Sequence, residues 1–575
     1  MTAKFDNVVP TVIDDSINVQ IFSVDNPQAI AISATATDAT AGMQSLQLQY
    51  KKGGTSWSEA SNISFSNKTG GTASIPVNGL SDYAKYGVDY RVCAQDSAGN
   101  IAYTPVRSIT IRFNTEYTHT DASGAPLALM STSDLPSGTP LEYAYRMFSV
   151  PLDLDNKSPK YIFETKTGIG DYNIKVWRFF QLKSDDSFEE YPDFSTLPVV
   201  EPGKSFLLIL KDGIVIKTGP GAVLKTKDIS DYGITLKAGY NFIGNPFNFD
   251  IPTDSLSLAN GIPLAGRMWE FVGIGGTNGG WKLNPTILKA WEGIVINVGA
   301  YGPTTLLFHI ADKPSSKVTK MHSSIAKEGK KEEGWRGIIR ARRFDNGMYD
   351  EENIFGVSST SIDSIDDKDA FEPPLVGDRN VSLSFNSPDG ALTHDIRSIK
   401  NEGWVWDFKV FTPDEMAKVG LEFEGIQEKE GFLIDRDSRM VTRLRVLSHT
   451  AINVQKGGRH FRLIVGSNEF AAAHSDGIEL IPTAYQLHQN YPNPFNPSTT
   501  IRFGLPVASN VNISIYDLLG RKVATVVDGL WNDGFHEIEW FAKVSSGVYF
   551  YRMEAIAVDN PNNRFANVKK MIVLK

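Results

Sequence analysis

The stretch VNISIYDLLGRKVATVVDG, residues 511–529, decides the fold class. Val511, Ile513 and Ile515 share one face of an extended chain and Asn512, Ser514 and Tyr516 the other, the period-two pattern of a strand buried on one side. Asp517 to Gly520 then form a turn into a second strand. Outward from there, the same alternation recurs in LQLQY at 46–50, YRVCAQD at 90–96, SFLLIL at 205–210, GIVINV at 293–298, VSLSF at 381–385, FRLIVG at 461–466 and GVYFYRM at 547–553. Gly, Pro, Asn and Asp punctuate these runs every 8–12 residues or so, the spacing of sandwich strands rather than of parallel α/β units. The expectation is an all-β chain of tandem β-sandwich modules. The strongest helix signal is short: Thr412 as cap, Pro413 at the first position, Asp414 and Glu415 in the first turn.

The chain has 575 residues, enough for about four domains. Its 57 Lys+Arg against 66 Asp+Glu leave −9, which offers no basic field for nucleic acid or an anionic membrane. No apolar run approaches the roughly 18 residues that a spanning helix needs. The single cysteine, Cys93, rules out a disulfide within the chain and a multi-cysteine metal cluster. Its first module holds no histidine that could draw off the thiol proton, so Cys93 reads as a packed strand residue.

Composition divides the chain. Residues 1–113 form a β module in which Tyr90, Val92 and Ala94 share a strand face and Asp96 to Asn100 make a turn with Gly99 free to take positive φ. YRVCAQDSAGN at 90–100 resembles the penultimate strand and turn of fibronectin type III and immunoglobulin-like modules, in which a tyrosine on that strand ties back through its hydroxyl. Residues 114–140, rich in Thr, Ser, Asp and Pro, read as a linker or crossing segment. Residues 141–312 repeat themselves: Pro151 matches Pro246, Trp177 matches Trp269 and Gly203 matches Gly293, with offsets of 95, 92 and 90. Two copies of one β unit of about 90 residues, packed on each other, are expected. Residues 313–334, with six Lys and three Glu, read as a charged linker, 335–466 as a further β-sandwich module, and 467–484 as a final linker.

Candidate chemistry is sparse. Residues 345–372 carry nine Asp or Glu and one Lys, −8 of the total charge. Asp350, Asn353, Asp363, Asp366 and Asp369 are candidate oxygen ligands for a structural calcium ion, although the spacing fits no helix–loop–helix calcium loop and an exposed acidic loop is the plainer reading. No other cofactor is expected. Trp281, in the glycine-rich stretch GIGGTNGGW, is the candidate glycan platform, whereas Trp177 and Trp269, at equivalent repeat positions, read as core. The nine histidines are scattered, and no H-E-x-x-H, G-x-S-x-G or phosphate loop is present, so no catalysis is expected.

The most specific pattern lies at 485–575. NYPNPFNPSTTIRFGLP at 490–506, SIYDLLGRKVATVVDG at 514–529, GFHEIEW at 534–540, SSGVYFYRMEA at 545–555 and the final KKMIVLK follow one another in order. Pro492, Pro494 and Pro497 remove amide donors and force a looped entry, which Phe495 can anchor in a core. This order resembles the carboxy-terminal sorting domain, type A, of the Por or type IX secretion system. The resemblance implies a small immunoglobulin-like sandwich read by the translocon and by a sorting peptidase, with Asn493, Pro494, Phe495, Asn496, Pro497, Gly520, Gly547, Lys569 and Lys570 at the family's motif positions. It further implies passage through the periplasm of a Gram-negative bacterium to the medium or outer surface, where lipopolysaccharide or polysaccharide is a possible partner class. MTAKFDNVVPTVIDD lacks an export signal, so the chain is expected to be a fragment, to carry a miscalled start, or to be the tail of a larger polypeptide. The sequence reading is thus a non-catalytic portion of an exported protein, made of spacer or adhesion modules and an address. The alternative is the accessory tail of an exported hydrolase whose catalytic domain lies upstream.

Overall fold

In the computed structural model, burial alternates along the strands as the sequence does. Ile30, Ile32, Ala34 and Ala36 are buried on the strand Ile30–Thr37 while the residues between them are more open; Val511, Ile513 and Ile515 are buried likewise, with Asn512 more open but Ser514 buried beside them. The fold is all-β. The structure describes the chain except residues 1–5, 17–20, 26, 53–55, 77–86, 121–124, 195–198, 225–231, 310–332, 377–379, 401, 427–429, 445–446 and 575. Most of the charged linker 313–334 therefore lies outside the described residues. Among the described residues, no helix is long and apolar enough to cross a membrane. The chain forms two compact units, one of residues 1–331 with 367–377 and 388–390, the other of 332–366, 378–387 and 391–575.

The first unit begins with two facing sheets. Thr11–Asp14, Ile30–Thr37 and Gly70–Ile75 form one. The other centres on Arg107–Phe113, Val88–Asp96 and Met43–Lys52, with Ile21–Ser23 running parallel to Arg107–Phe113. Ile32, Leu48, Tyr90, Val92 and Ile109, all at most 1% exposed, fill the space between the two. Cys93 points to the opposite side of its strand from Tyr90, and burial raises its thiol pKa. The sheet continues past this module, because Gly221–Ala222 pairs with the end of Arg107–Phe113. Residues 117–119 and 128–133 are laid along the chain at 211–218, with His119 N–H donating to Ile216 O and Leu129 N–H to Ile214 O.

Two four-stranded antiparallel sheets follow, with the same strand order. Arg146–Phe148, Phe206–Leu210, Trp177–Leu182 and Phe188–Glu190 make the first; Tyr240–Gly244, Gly293–Asn297, Met268–Phe271 and Trp281–Leu283 make the second. Their contacts are reciprocal. Phe148 bridges to Glu292 and Ile243 to Lys204, while Ser149 N–H donates to Trp291 O at 2.9 Å and Gly244 N–H to Gly203 O at 3.0 Å. These pairs equate Gly203 with Trp291, not with Gly293 as the sequence suggests. Both sit in the left-handed region, at φ 84° and 70°. A side chain there costs about 1–2 kcal/mol. The cost is offset by burial: Trp291 is 3% exposed, stacked on Tyr117 at 5.1 Å and edge-on to His119 at 5.3 Å.

In the second unit, one long ladder runs through Met440–Leu444, Gly431–Asp435, Arg459–Gly466, Gly403–Phe411, Ser382–Ser387, Gly390–Ser398, Tyr349–Ser358, Gly334–Arg343, Met416–Glu424 and Leu447–Gln455. It closes over Phe355, Phe385, Trp406 and Phe408, each fully buried. The helix expected from Thr412 does not form. Residues 412–415 are the turn between Gly403–Phe411 and Met416–Glu424, where cap-type residues serve equally well. A short helix instead spans Asn468–Ala473, with Ser467 Oγ accepting from Phe470 N–H. The stretch 467–484 is docked, not free: Ala471 and Leu480 are buried with Phe432, Ile434, Val441 and Ile464, and Phe535 packs against them.

Two buried ionisable groups in this ladder oppose each other. Burial pushes the Asp350 carboxyl up to about 7, and burial drives the His394 imidazole down to about 4. A carboxyl with a raised folded pKa stabilises most at low pH and loses that contribution as pH climbs from about 4 to 7; a depressed histidine does the reverse, losing stability as pH falls from about 6.5 to 4. The slopes cancel in part in the parent. Asp350→Asn is expected to leave stability rising with pH between about 4 and 6.5, and His394→Gln to leave it falling between about 4 and 7, by up to about 4 kcal/mol. Urea midpoints at four or five pH values separate the two, and identical profiles in both variants would disprove the assignment.

Candidate functional site

The sorting-type motifs fold into a sandwich of two sheets, Gln486–Leu487, Ser498–Leu505 and Gly534–Phe541 against Lys522–Trp531, Ser509–Tyr516, Gly547–Ala557 and Arg564–Val573. Phe503, Ile501, Ile513, Ile515, Met553 and Met571 are fully buried between them. The proline-rich entry loop lies along the outer edge of the last strand. Phe495, 2% exposed, drops into the core with its ring 5.8 Å from Trp540. On either side of that anchor the loop backbone imitates a strand: Phe495 N–H donates to Ile572 O at 3.1 Å and Leu574 N–H donates to Phe495 O at 2.9 Å. Asn493 adds a side-chain rung, accepting from Ile572 N–H at 2.8 Å and donating to Lys570 O at 3.3 Å. An edge strand with open amides invites pairing with foreign chains, and this loop closes part of the edge.

A polar network missed by sequence reasoning supports the loop. Tyr551 Oη, shut in the core, donates to His488 O at 2.7 Å and accepts from Asn490 N–H at 2.8 Å. Burial lifts its phenol to about 12, so it remains a donor. Asn490 Nδ2 donates to Thr499 Oγ1 at 2.9 Å, and that hydroxyl donates to Pro492 O at 2.8 Å. The signal was the polar pair flanking the prolines, Asn490 and Thr499, set opposite an inward-facing tyrosine.

The remaining motif residues divide by role. Pro494, Asn496 and Pro497 are exposed along the loop, Lys570 is exposed and Lys569 half-buried on the last strand. Gly520 has φ 76° in the tight turn where Asp517 Oδ1 accepts from Leu519 and Arg521 N–H. Gly547 opens its strand without a left-handed conformation.

Two sequence readings are corrected. Trp281 is no glycan platform: it is 1% exposed, and its Nε1–H donates to Pro374 O at 2.9 Å, while Trp269 Nε1–H donates to Phe371 O at the same distance. The five calcium candidates do not assemble. Asp350 and Asn353 bond to each other inside the ladder, with Leu383 N–H on the second Asp350 oxygen. Asp363 holds Ser398 and Lys400, Asp366 accepts from Ile362 N–H, and Asp369 belongs to the other unit. Strand pairing and turn closure use these oxygens locally. Among the described residues, the one group of three acidic side chains whose oxygens lie within 4.8 Å of one another is Asp6, Asp38 and Asp96.

Comparison with known proteins bears on the carboxy-terminal segment. Residues 489–573 match the secretion system C-terminal sorting domain. The match indicates a chain exported by the type IX secretion system. No curated protein matches the chain. Solved structures similar to it include dimeric latent PorU from Porphyromonas gingivalis, at 11% identity over 98% of this chain and 34% of that one with a TM-score of 0.14. A tetra-tandem repeat from the extending region of a large adhesion protein gives 9% identity, 98% and 99% coverage and 0.15. Native alpha-2-macroglobulin of E. coli gives 7%, 99%, 40% and 0.16. The chain spans about a third of the PorU chain it matches. At these TM-scores the superpositions bear on neither fold nor function.

Proposed function

We propose that residues 485–575 are the address by which the translocon carries this chain across the outer membrane, and that the modules before it are non-catalytic spacers or adhesion elements, the first of them fibronectin type III or immunoglobulin-like. The observation that carries the reading is the loop 491–497 clamped onto the last strand through Asn493 and Phe495. It joins the family's two end motifs into a single rigid surface, with Pro494, Asn496, Pro497 and Lys570 facing outward. A recognition protein reading that surface needs both motifs in register, which a linear peptide would not supply. The destination is the outer surface or the medium, and the sorting peptidase acts on the domain after passage.

The test uses the full chain behind a cleavable signal peptide in a host that has the translocon. The parent is expected in the medium or on the surface, and Asn493→Ala combined with Pro494→Ala in the periplasm, folded as judged by protease resistance. Export of the double variant at the parent level would refute the reading.

A further inference from the structure

A cleft of about 510 Å³ opens in the second unit where the turn 438–440, the stretch 477–479 and the sorting domain at 486–491 and 502–503 converge. That volume is within the range of ligand sites. Phe535, Ile478 and Met440 supply apolar lining. Several polar groups on the rim are already committed. The Glu479 carboxylate accepts from Thr483 N–H, Thr483 Oγ1 and Gln486 Nε2, Arg502 pairs with Glu537, and Gln489 Nε2 donates to Asn490 Oδ1 and Lys570 O.

Three groups are left over. The Arg439 guanidinium is exposed and has no partner among the described residues, and its backbone holds φ 58°, a conformation that favours glycine or asparagine over arginine. The His488 imidazole has no side-chain hydrogen bond among the described residues, and burial lowers its pKa first, with Arg502 and Lys569 adding to the effect. The Tyr491 ring is 77% exposed. Its backbone is nevertheless fixed by two hydrogen bonds with Thr500, at 3.1 and 2.9 Å. Tyr491 and Arg439 thus offer one cleft an exposed aromatic face and a guanidinium with no partner among the described residues.

We propose that this cleft binds an acidic saccharide. The C–H face of a sugar ring stacks on Tyr491, the exocyclic carboxylate of a uronate meets the planar fork of Arg439, and hydroxyls pair with the imidazole of His488 and the side-chain carbonyl of Gln489. The cleft lies between the sorting domain and the preceding ladder, so a bound saccharide bridges both. The proposal is independent of whether the domain acts as an address.

Calorimetry and saturation-transfer NMR on the full chain, with tetragalacturonate and with maltotetraose, test it. Tetragalacturonate is expected to bind, with maltotetraose at least about tenfold weaker, a difference of about 1.4 kcal/mol. Tyr491→Ala and Arg439→Gln should each weaken uronate binding about tenfold or more without moving the melting temperature, since both side chains are exposed. No transfer signal from tetragalacturonate at about millimolar concentration, equal binding of the two sugars, or unchanged binding in both variants would each overturn it.

Discussion

Phe495→Ala is expected to destabilise the sorting domain by about 3–5 kcal/mol, the cost of emptying a fully packed aromatic site. The ring is the only part of the loop 491–497 that reaches the core. Its loss also frees the two backbone hydrogen bonds to the last strand, which depend on the loop being held down. Urea unfolding followed through tryptophan fluorescence checks this, because Trp540 lies against the ring. Phe495→Leu should recover more than half of the loss, since a large apolar group still fills the site. A shift of under about 1 kcal/mol in the alanine variant would mean that the loop is held by its polar contacts alone.

Trp281→Ala carries a comparable expected effect, about 3–5 kcal/mol on the first unit. The indole is buried against Phe271 at 5.0 Å, and its N–H satisfies Pro374 O. Removing the ring leaves a cavity and an orphaned carbonyl together, and the second term alone is worth about 1–3 kcal/mol. Trp281→Phe separates them, with an expected loss of about 1–2 kcal/mol. Hydrogen exchange should show the segment 370–376 opening in both variants, because Trp269 is then its remaining indole donor among the described residues. Parent-like exchange there would contradict the assigned contact.

Local patterns carried far in this chain. Alternation at Val511, Ile513 and Ile515 and the donor-poor run Pro492, Pro494 and Pro497 are determined within a few residues, so fold class and looped entry could be read directly. Phe495 as an anchor followed from being the one large apolar residue in that run. The errors came where a distant segment intervenes. Trp281 sits in glycine-rich sequence that looks exposed, but residues 370–376 cover it, about 90 positions later. Thr412 to Glu415 carry helix-cap chemistry, yet two long strand partners on either side make them a turn. The acidic run 345–372 is a cluster only along the sequence, since strand geometry sends Asp350 inward while Asp363 pairs with Lys400. The repeat landmarks located the right strands but slipped by two residues at Gly203, because a tryptophan stands at the left-handed position where a glycine was the natural match.

The clamp between Phe495 and Ile572 joins residues 77 positions apart, at opposite ends of their module. Such a closure is paid for in loop entropy before any contact is returned, so it comes late in folding. A chain lacking residues 570–574 could form most of both sheets and still present no closed loop. Loop closure therefore reports on the last strand: a product broken before residue 570 keeps the other strands of both sheets but leaves Asn493 and Phe495 with nothing to close on.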